Sequence, residues 1–329
     1  MESTALSSAS DAGMLAARLQ SVRYGAKGIH LFEFAALNGP FPAATPGAHL
    51  DIELPGEMRR QYSLVTPLCS ASSYVVAIKR EDAGRGGSIW LHDKASVGAE
   101  FRISPPRNNF ALDEDAEDTL LLAGGIGITP IYGMFMRLQE LKRRVHLHYW
   151  SRSSDHTLFI DQLKGHADVT LHHSMDTFDH STGTCRATIP GILAAAGPRT
   201  EVYCCGPARM LSECTQNAAF VGRLHIERFG LSAEDLPGKA TAGFTVHLAR
   251  KKIDVLVAPG ETVLGALIQA GIDVPYSCEE GVCGACETKL LSGAALHQDS
   301  IRSPEEHDRR GTFMLCCSLS RDDTLVLDI

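Results

Sequence analysis

The rhythm of apolar and polar positions changes along the chain. From Ile29 to about Ile103, apolar residues alternate with polar ones in short runs broken by Pro and Gly; residues 49–54, 62–65 and 74–79 are the clearest. Successive side chains of a strand point to opposite faces, so this rhythm predicts many short strands forming a β-barrel or a sandwich. The first 20 or so residues are rich in Ser and Ala and read as a frayed terminus or a short helix leading into a strand. The acidic stretch 113–118 reads as a domain boundary. Beyond it, short apolar runs at 119–123, 145–150, 169–173 and 201–204 are separated by helical segments at 130–141 and 158–163. That alternation predicts an α/β layer on a parallel sheet. Residues 230–243 read as a linker. After it, 244–248 and 253–257 alternate as two strands of a small sheet, 261–269 reads as a helix ending near Gly271, and 324–328 as a last strand. Ser303, Pro304 and Glu306 mark a helix start as N-cap, first residue and third residue of a capping box.

Composition narrows the picture. The chain has 329 residues, enough for two or three domains, and its 44% hydrophobic content supports packed cores. A formal net charge of −8 has the wrong sign for binding a phosphate backbone, so nucleic acid is not an expected partner. No apolar run reaches bilayer length, and the N-terminus shows no basic region followed by an apolar run. Neither a membrane nor secretion is expected. Outside one cysteine-rich loop and its partner, Cys69, Cys185, Cys204, Cys205, Cys214 and Cys317 read as reduced thiols, which fits a cytoplasmic location.

The sharpest chemical signal is Cys278-Glu279-Glu280-Gly281-Val282-Cys283-Gly284-Ala285-Cys286, with Cys316 far downstream. C-x4-C-x2-C…C is the spacing that holds a plant-type [2Fe–2S] cluster. Three thiolates on one tight loop need a sharply turning backbone, for which Gly281, Gly284 and Ala285 leave room. Structural zinc usually takes two short C-x2-C knuckles, which this spacing does not match. Cys317 leaves the fourth ligand ambiguous by one residue.

Two glycine turns follow predicted strands of the α/β layer. Gly124-Gly125-Ile126-Gly127-Ile128-Thr129-Pro130 opens a helix, with Thr129 able to cap it and Pro130 to stand first; Cys205-Gly206-Pro207 lies at the same sheet edge. Glycines there let backbone approach a phosphate, and open α/β sheets bind ligands along that edge. Alone, the first run fits a tight turn equally well. In the barrel, Arg60-Gln61-Tyr62-Ser63-Leu64 puts an Arg and an aromatic on one strand face, and Arg85-Gly86-Gly87-Ser88 precedes a helical Ile89-Trp90-Leu91. The latter is a further possible phosphate cradle or an ordinary Gly-Gly turn.

In their order and spacing, these runs resemble the phthalate dioxygenase reductase and vanillate O-demethylase reductase family, over about residue 15 to Ile329. The resemblance implies an FMN-binding β-barrel (1–113), an NAD-binding α/β domain (114–231) and a plant-type ferredoxin domain of α+β, β-grasp type (240–329). It implies that Arg60, with Gly86, Gly87 and Ser88, holds the flavin phosphate. Tyr62 would lie against the isoalloxazine, with Ser63 and Leu64 beside it and Ser63 near its reactive nitrogen. Phe229 would cover the other flavin face. Gly124, Gly125, Gly127, Thr129, Pro130, Arg152, Cys205, Gly206 and Pro207 would line the NADH site, and Ser63, Cys205 and Phe229 would face the hydride. Cys316 would be the fourth cluster ligand. The implied activity carries electrons from NADH through FMN and [2Fe–2S] to a terminal Rieske oxygenase, an aromatic-ring dioxygenase or an O-demethylase, by transient contact with a monomer. Other acceptors (a carnitine-type Rieske monooxygenase, a cytochrome P450) and a non-enzymatic carrier or sensor are the alternatives. Arg152, flanked by serines, leaves NADPH open beside NADH. Glu279, Glu280 and Glu287 around the cysteine loop suggest a basic docking partner.

Overall fold

The structure, a computed structural model, describes residues 13–56, 58–174, 188–229 and 242–329. The linker expected at 230–243 falls almost wholly outside them, as do Cys185 and the first 12 residues. Strands β1 (Leu15–Ala26), β2 (Ile29–Ala36), β3 (His49–Leu54), β4 (Met58–Ser63), β5 (Ser73–Lys79) and, after helix α1 (Gly87–Lys94), β6 (Glu100–Ile103) form a sheet in the order β4-β3-β6-β1-β2-β5. Its pairings are antiparallel. A bridge between Leu64 and Val76 joins the two outer strands and closes the sheet into a barrel around Phe32, Phe34, Leu50 and Tyr74. β1 begins earlier than the composition of its start suggests. Register shifts at Leu19/Ser21 and Tyr24/Ala26 interrupt it, and each extra residue reverses which side chains face inward, so the alternation is lost to the eye. β4 begins at Met58 rather than 62, because Arg59 is held in the strand by Glu53 opposite (2.7 Å).

The second layer runs β7 (Asp118–Gly124), α2 (Ile128–Glu140), β8 (Arg144–Ser151), α3 (Ile160–Leu163), β9 (Val169–His173), α4 (Ile189–Ala196), β10 (Glu201–Cys205), α5 (Ala208–Gln216), β11 (Arg223–Glu227). The parallel strands lie in the order β11-β10-β7-β8-β9. From β7 the chain winds outward through β8 and β9, then crosses back to β10 and β11. The direction of winding therefore reverses between β7 and β10. α2 buries Ile131, Phe135 and Leu138 in a core shared by Leu121 and Leu147 of the sheet and by Ile29, Leu31 and Val75 of the barrel. A tether adds to it: the Asp113 N–H donates to the Tyr203 hydroxyl at 2.8 Å. Residues 113–118 thus separate two sheets but not two compact units. Met14–Phe229 is one unit, because one core spans the barrel and the α/β layer.

The C-terminal unit contains β12 (Phe244–Leu248), β13 (Ile253–Val257), α6 (Val263–Gln269), β14 (Glu287–Ser292), β15 (Ala295–Leu296), α7 (Pro304–Arg310), β16 (Thr312–Met314), β17 (Leu319–Ser320) and β18 (Thr324–Leu327). Its main sheet is mixed, β13-β12-β18-β14-β16, with β12 and β18 parallel; β15 and β17 form a separate pair. α6 starts at Val263 because the Thr262 hydroxyl caps it, accepting the Gly265 N–H. Ser303 caps α7 by accepting the Glu306 N–H at 3.2 Å, with Pro304 first in the helix, as the sequence suggests. The Glu306 carboxylate turns instead to Arg302 and Arg310.

Candidate functional site

The winding reversal between β7 and β10 opens a crevice at the C-terminal strand ends, where open α/β sheets take their ligands. Both glycine turns lie there, and they pack on each other. A Cβ on Gly124 would stand 2.5 Å from Pro207 Cδ and 3.2 Å from Gly206 Cα; one on Gly127 would run into the Cys205 carbonyl. These glycines are needed first for contact between the turns. Gly125 differs: it has φ +55 and nothing within 4 Å of where a side chain would stand. It is the point at which a phosphate could approach backbone. Two details of the expected turn are corrected. α2 is capped by Gly127 and starts at Ile128, so Thr129 lies inside it and buried, its hydroxyl donating to the Ile126 carbonyl. Pro130 stands third and is buried as well. Neither side chain is presented to a ligand. Arg152, just beyond β8, is exposed.

In the barrel, the Arg60 guanidinium donates to the carbonyls of Arg59 and Arg85, both at 2.8 Å. This lays it across the turn that opens α1. Gly86, at φ 82, caps α1 without a side-chain bond, and a Cβ on Gly87 would stand 2.5 Å from Arg60 Cγ. A guanidinium, a left-handed glycine and the first N–H groups of a helix make a cradle that a side chain at 87 would fill. A monoester phosphate fits this donor set. The Ser88 hydroxyl accepts the Glu81 N–H at 3.1 Å and keeps its own proton to donate. Tyr62 shares a strand face with Arg60; burial pushes its phenol pKa up, against the opposing pull of Arg60 and Arg85, so it stays neutral. Ser63 is buried. Leu64 corrects an expectation: its side chain is in the barrel core and its N–H donates to the Ala48 carbonyl, so it offers a ligand no side chain.

At the end of β10, Cys205 is buried, and burial holds its thiol well above the usual range. Its register partner on β11 is Glu227, which the sequence reading passed over. Glu227 Oε2 is buried without a hydrogen-bond partner, and burial raises the carboxyl pKa to about 8. The only sequence signal was an acidic residue ending a strand two positions before Phe229. Phe229 itself is 45% exposed at the end of the first unit, a large apolar face open to solvent.

In the C-terminal unit, Cys278, Cys283, Cys286 and Cys316 converge, all buried. Cys316 Sγ lies 3.3 Å from Cys286 Sγ and also contacts Cys278, which in turn contacts Cys283. Positive φ at Glu279, Gly281 and Gly284 turns the loop around the thiols. The Glu280 and Ala285 N–H groups donate to Cys278 Sγ and Cys283 Sγ, both at 3.4 Å. Four gathered thiols with backbone donors aimed at sulfur fit an iron–sulfur cluster. Cys317 packs under Gly281, where a Cβ would stand 2.8 Å from its Sγ. Glu279 is exposed, but Glu287 is held by Arg302 at 2.9 Å and is not a free surface charge.

Residues 246–321 match the 2Fe-2S iron-sulfur cluster binding domain. A phenoxybenzoate dioxygenase subunit beta from Ectopseudomonas oleovorans is 40% identical, covering 98% of this chain and all of its own. The solved structure of phthalate dioxygenase reductase, described as modular for electron transfer from pyridine nucleotides to [2Fe–2S], is 34% identical. The match covers 96% of this chain and 98% of the other, with TM-score 0.66. The chain belongs to the phthalate dioxygenase reductase family. It is a flavin and iron–sulfur oxidoreductase that carries electrons from NADH through FMN to a [2Fe–2S] cluster, as the family does. This family's architecture also matches part of a type IV self-sufficient cytochrome P450 monooxygenase, 34% identical over 96% of this chain and 41% of that one, with TM-score 0.84.

Proposed function

We propose that the chain is the reductase component of a two-component Rieske non-haem iron oxygenase, delivering electrons to a terminal aromatic-ring dioxygenase or O-demethylase. The observation that carries this reading is the building of two ligand sites in one compact unit, the Arg60–Gly87 cradle and the Gly125 crevice, on a chain that also gathers four thiols. Flavin supplies the step from a two-electron hydride to single electrons, and the cluster carries them one at a time. The chain supplies the geometry. Arg60, Gly86, Gly87 and Ser88 would hold the flavin phosphate, and Tyr62 and Ser63 would line the ring. Phe229, exposed at the end of this unit, would cover its other face. Gly124, Gly125, Gly127, Cys205, Gly206 and Pro207 would shape the NADH crevice, with the exposed Arg152 available to the adenosine end. Cys278, Cys283, Cys286 and Cys316 hold the cluster, and the three domains are 1–113, 114–231 and 240–329. The protein works as a monomer in the cytoplasm, where its thiols stay reduced. Among the described residues, no helix is long and apolar enough to cross a membrane.

Reconstitution with candidate acceptors tests this. Under NADH, the reductase should reduce a purified Rieske oxygenase in catalytic turnover. A second reading, a cytochrome P450 acceptor, is favoured by the fold shared with the self-sufficient monooxygenase. Faster reduction of a P450 haem than of any Rieske oxygenase would select it.

A further inference from the structure

Behind the cysteine loop lies a cluster of side chains that electron transfer does not use. Among the described residues, His297, Asp299 and His307 offer two imidazoles and a carboxylate whose candidate ligand atoms lie within 4.8 Å of one another. The His297 side chain is 3% exposed, and those of Asp299 and His307 are 0% exposed. His307 Nε2 and Asp299 Oδ2 are 2.7 Å apart, and His307 Nδ1 is 2.7 Å from the Thr312 hydroxyl. Asp299 Oδ1 accepts the N–H groups of Ile301 and Arg302, both at 3.1 Å, which fixes the carboxylate in the turn leading to α7.

His297 is the member that hydrogen bonding leaves unexplained. Its ring stacks on His307 at 4.1 Å and 10°, and neither nitrogen has a hydrogen-bond partner although both are buried. A neutral imidazole carries one N–H and one lone pair, and both are costly to bury unmatched. Burial and the neighbouring His307 hold its pKa below the ordinary value, which keeps the ring in the neutral form that ligates metals. The Asp308 carboxylate stands 3.9 Å from His297 Nε2 at the exposed rim.

We propose that His297, Asp299 and His307 bind a divalent cation of the zinc type, apart from the [2Fe–2S] cluster, with Asp308 closing the set from the solvent side. Two imidazoles with one or two carboxylates form a donor set that suits zinc and disfavours magnesium and calcium, which take oxygen ligands. A metal on His307 Nε2 requires the ring proton on Nδ1, where the Thr312 hydroxyl accepts it. That is the outer hydrogen bond that orients a ligating histidine. The stacked rings must splay for both lone pairs to converge. The site bears on the cluster through its support. The Ser300 N–H donates to the Gly281 carbonyl at 3.0 Å, and Asp299 Cα lies 3.1 Å from where a Gly281 Cβ would stand. A cation here therefore ties α7 to the back of the cysteine loop.

Elemental analysis of the holoprotein, dialysed against zinc and then against a weak chelator, tests the proposal. The expected result is close to one zinc for each two irons, with the electron paramagnetic resonance of the reduced cluster unchanged. His297→Ala and His307→Ala each remove a ligand, so each should weaken zinc binding by more than the roughly 10–100-fold that loss of an outer hydrogen bond costs, while keeping the full iron content. His307→Ala also removes two hydrogen bonds, so His297→Ala, which removes none, carries the decision. No zinc above trace, zinc gained at the expense of iron, or equal zinc uptake by His297→Ala overturns the proposal.

Discussion

Single residues decide what each site can hold. Arg60 is oriented by two backbone carbonyls over a glycine that has no room for a side chain. Arg60→Ala should weaken FMN binding by about 1.5–3 kcal/mol through loss of a charge-assisted contact. Gly87→Ala, by displacing the same guanidinium, should weaken it in the same direction; fluorescence titration of the apoprotein with FMN measures both. The pairing of Arg60 with the Gly-Gly turn came from the family resemblance, since the residues alone read equally as an ordinary strand and an ordinary turn. Glu227 was not, since nothing local marks an acid whose oxygen is buried without a partner. Its burial has a consequence with a definite sign. The folded carboxyl titrates near 8 and the unfolded one near 4.5, so between these values the folded state holds a proton that the unfolded state has lost. This contribution to stability falls as pH rises through that window and stays low above it. Denaturation midpoints of Glu227→Gln should gain on wild type steadily from pH 5 to pH 8, and a pH-independent difference would rule this out. The spacing alone left Cys316 and Cys317 open and the family resemblance chose Cys316; in the structure the Cys316 thiol meets Cys278 and Cys286, with Cys317 beside it.

At the scale of elements, rhythm located β3, β9, β12 and β13 at their observed bounds, because their alternation is regular and both ends carry turn signals. It lost the start of β1 to two register shifts and the start of β4 to paired charges. It also misplaced the start of α2, because a run of glycines with Thr and Pro resembles a capped helix whether or not the cap is used. The nucleotide crevice was read as glycines making room for phosphate. The structure divides that role: Gly124, Gly127 and Gly206 make room for one another, and Gly125 faces open space. Gly124→Ala should therefore destabilise the protein by about 1–3 kcal/mol, because it overpacks two turns. It should also raise the KM for NADH while leaving FMN affinity near wild type. Gly125→Ala, strained by its positive φ but unobstructed, should affect NADH binding more than packing. Thermal melts alongside steady-state kinetics separate the two.

At the scale of the whole molecule, the sequence divides into three domains, whereas packing yields two compact units, because α2 serves the barrel and the α/β sheet together. A shared core is invisible in sequence, since each layer's apolar residues look complete in themselves. The acidic chain should meet its acceptor through charge: raising ionic strength should slow reduction of the oxygenase and leave flavin reduction of small dyes nearly unchanged. Glu279→Lys with Glu280→Lys should slow the same step; Glu287, engaged by Arg302, should matter less. Equal salt dependence of both reactions would remove the steering argument. The electron route itself is tested most directly by anaerobic rapid mixing of NADH with wild type and Cys316→Ser. In wild type, flavin absorbance should fall first and the cluster's electron paramagnetic resonance signal should rise after it. In Cys316→Ser, flavin should be reduced at the wild-type rate and no cluster signal should appear. A cluster signal that precedes flavin reduction, or that survives in Cys316→Ser, would contradict the account.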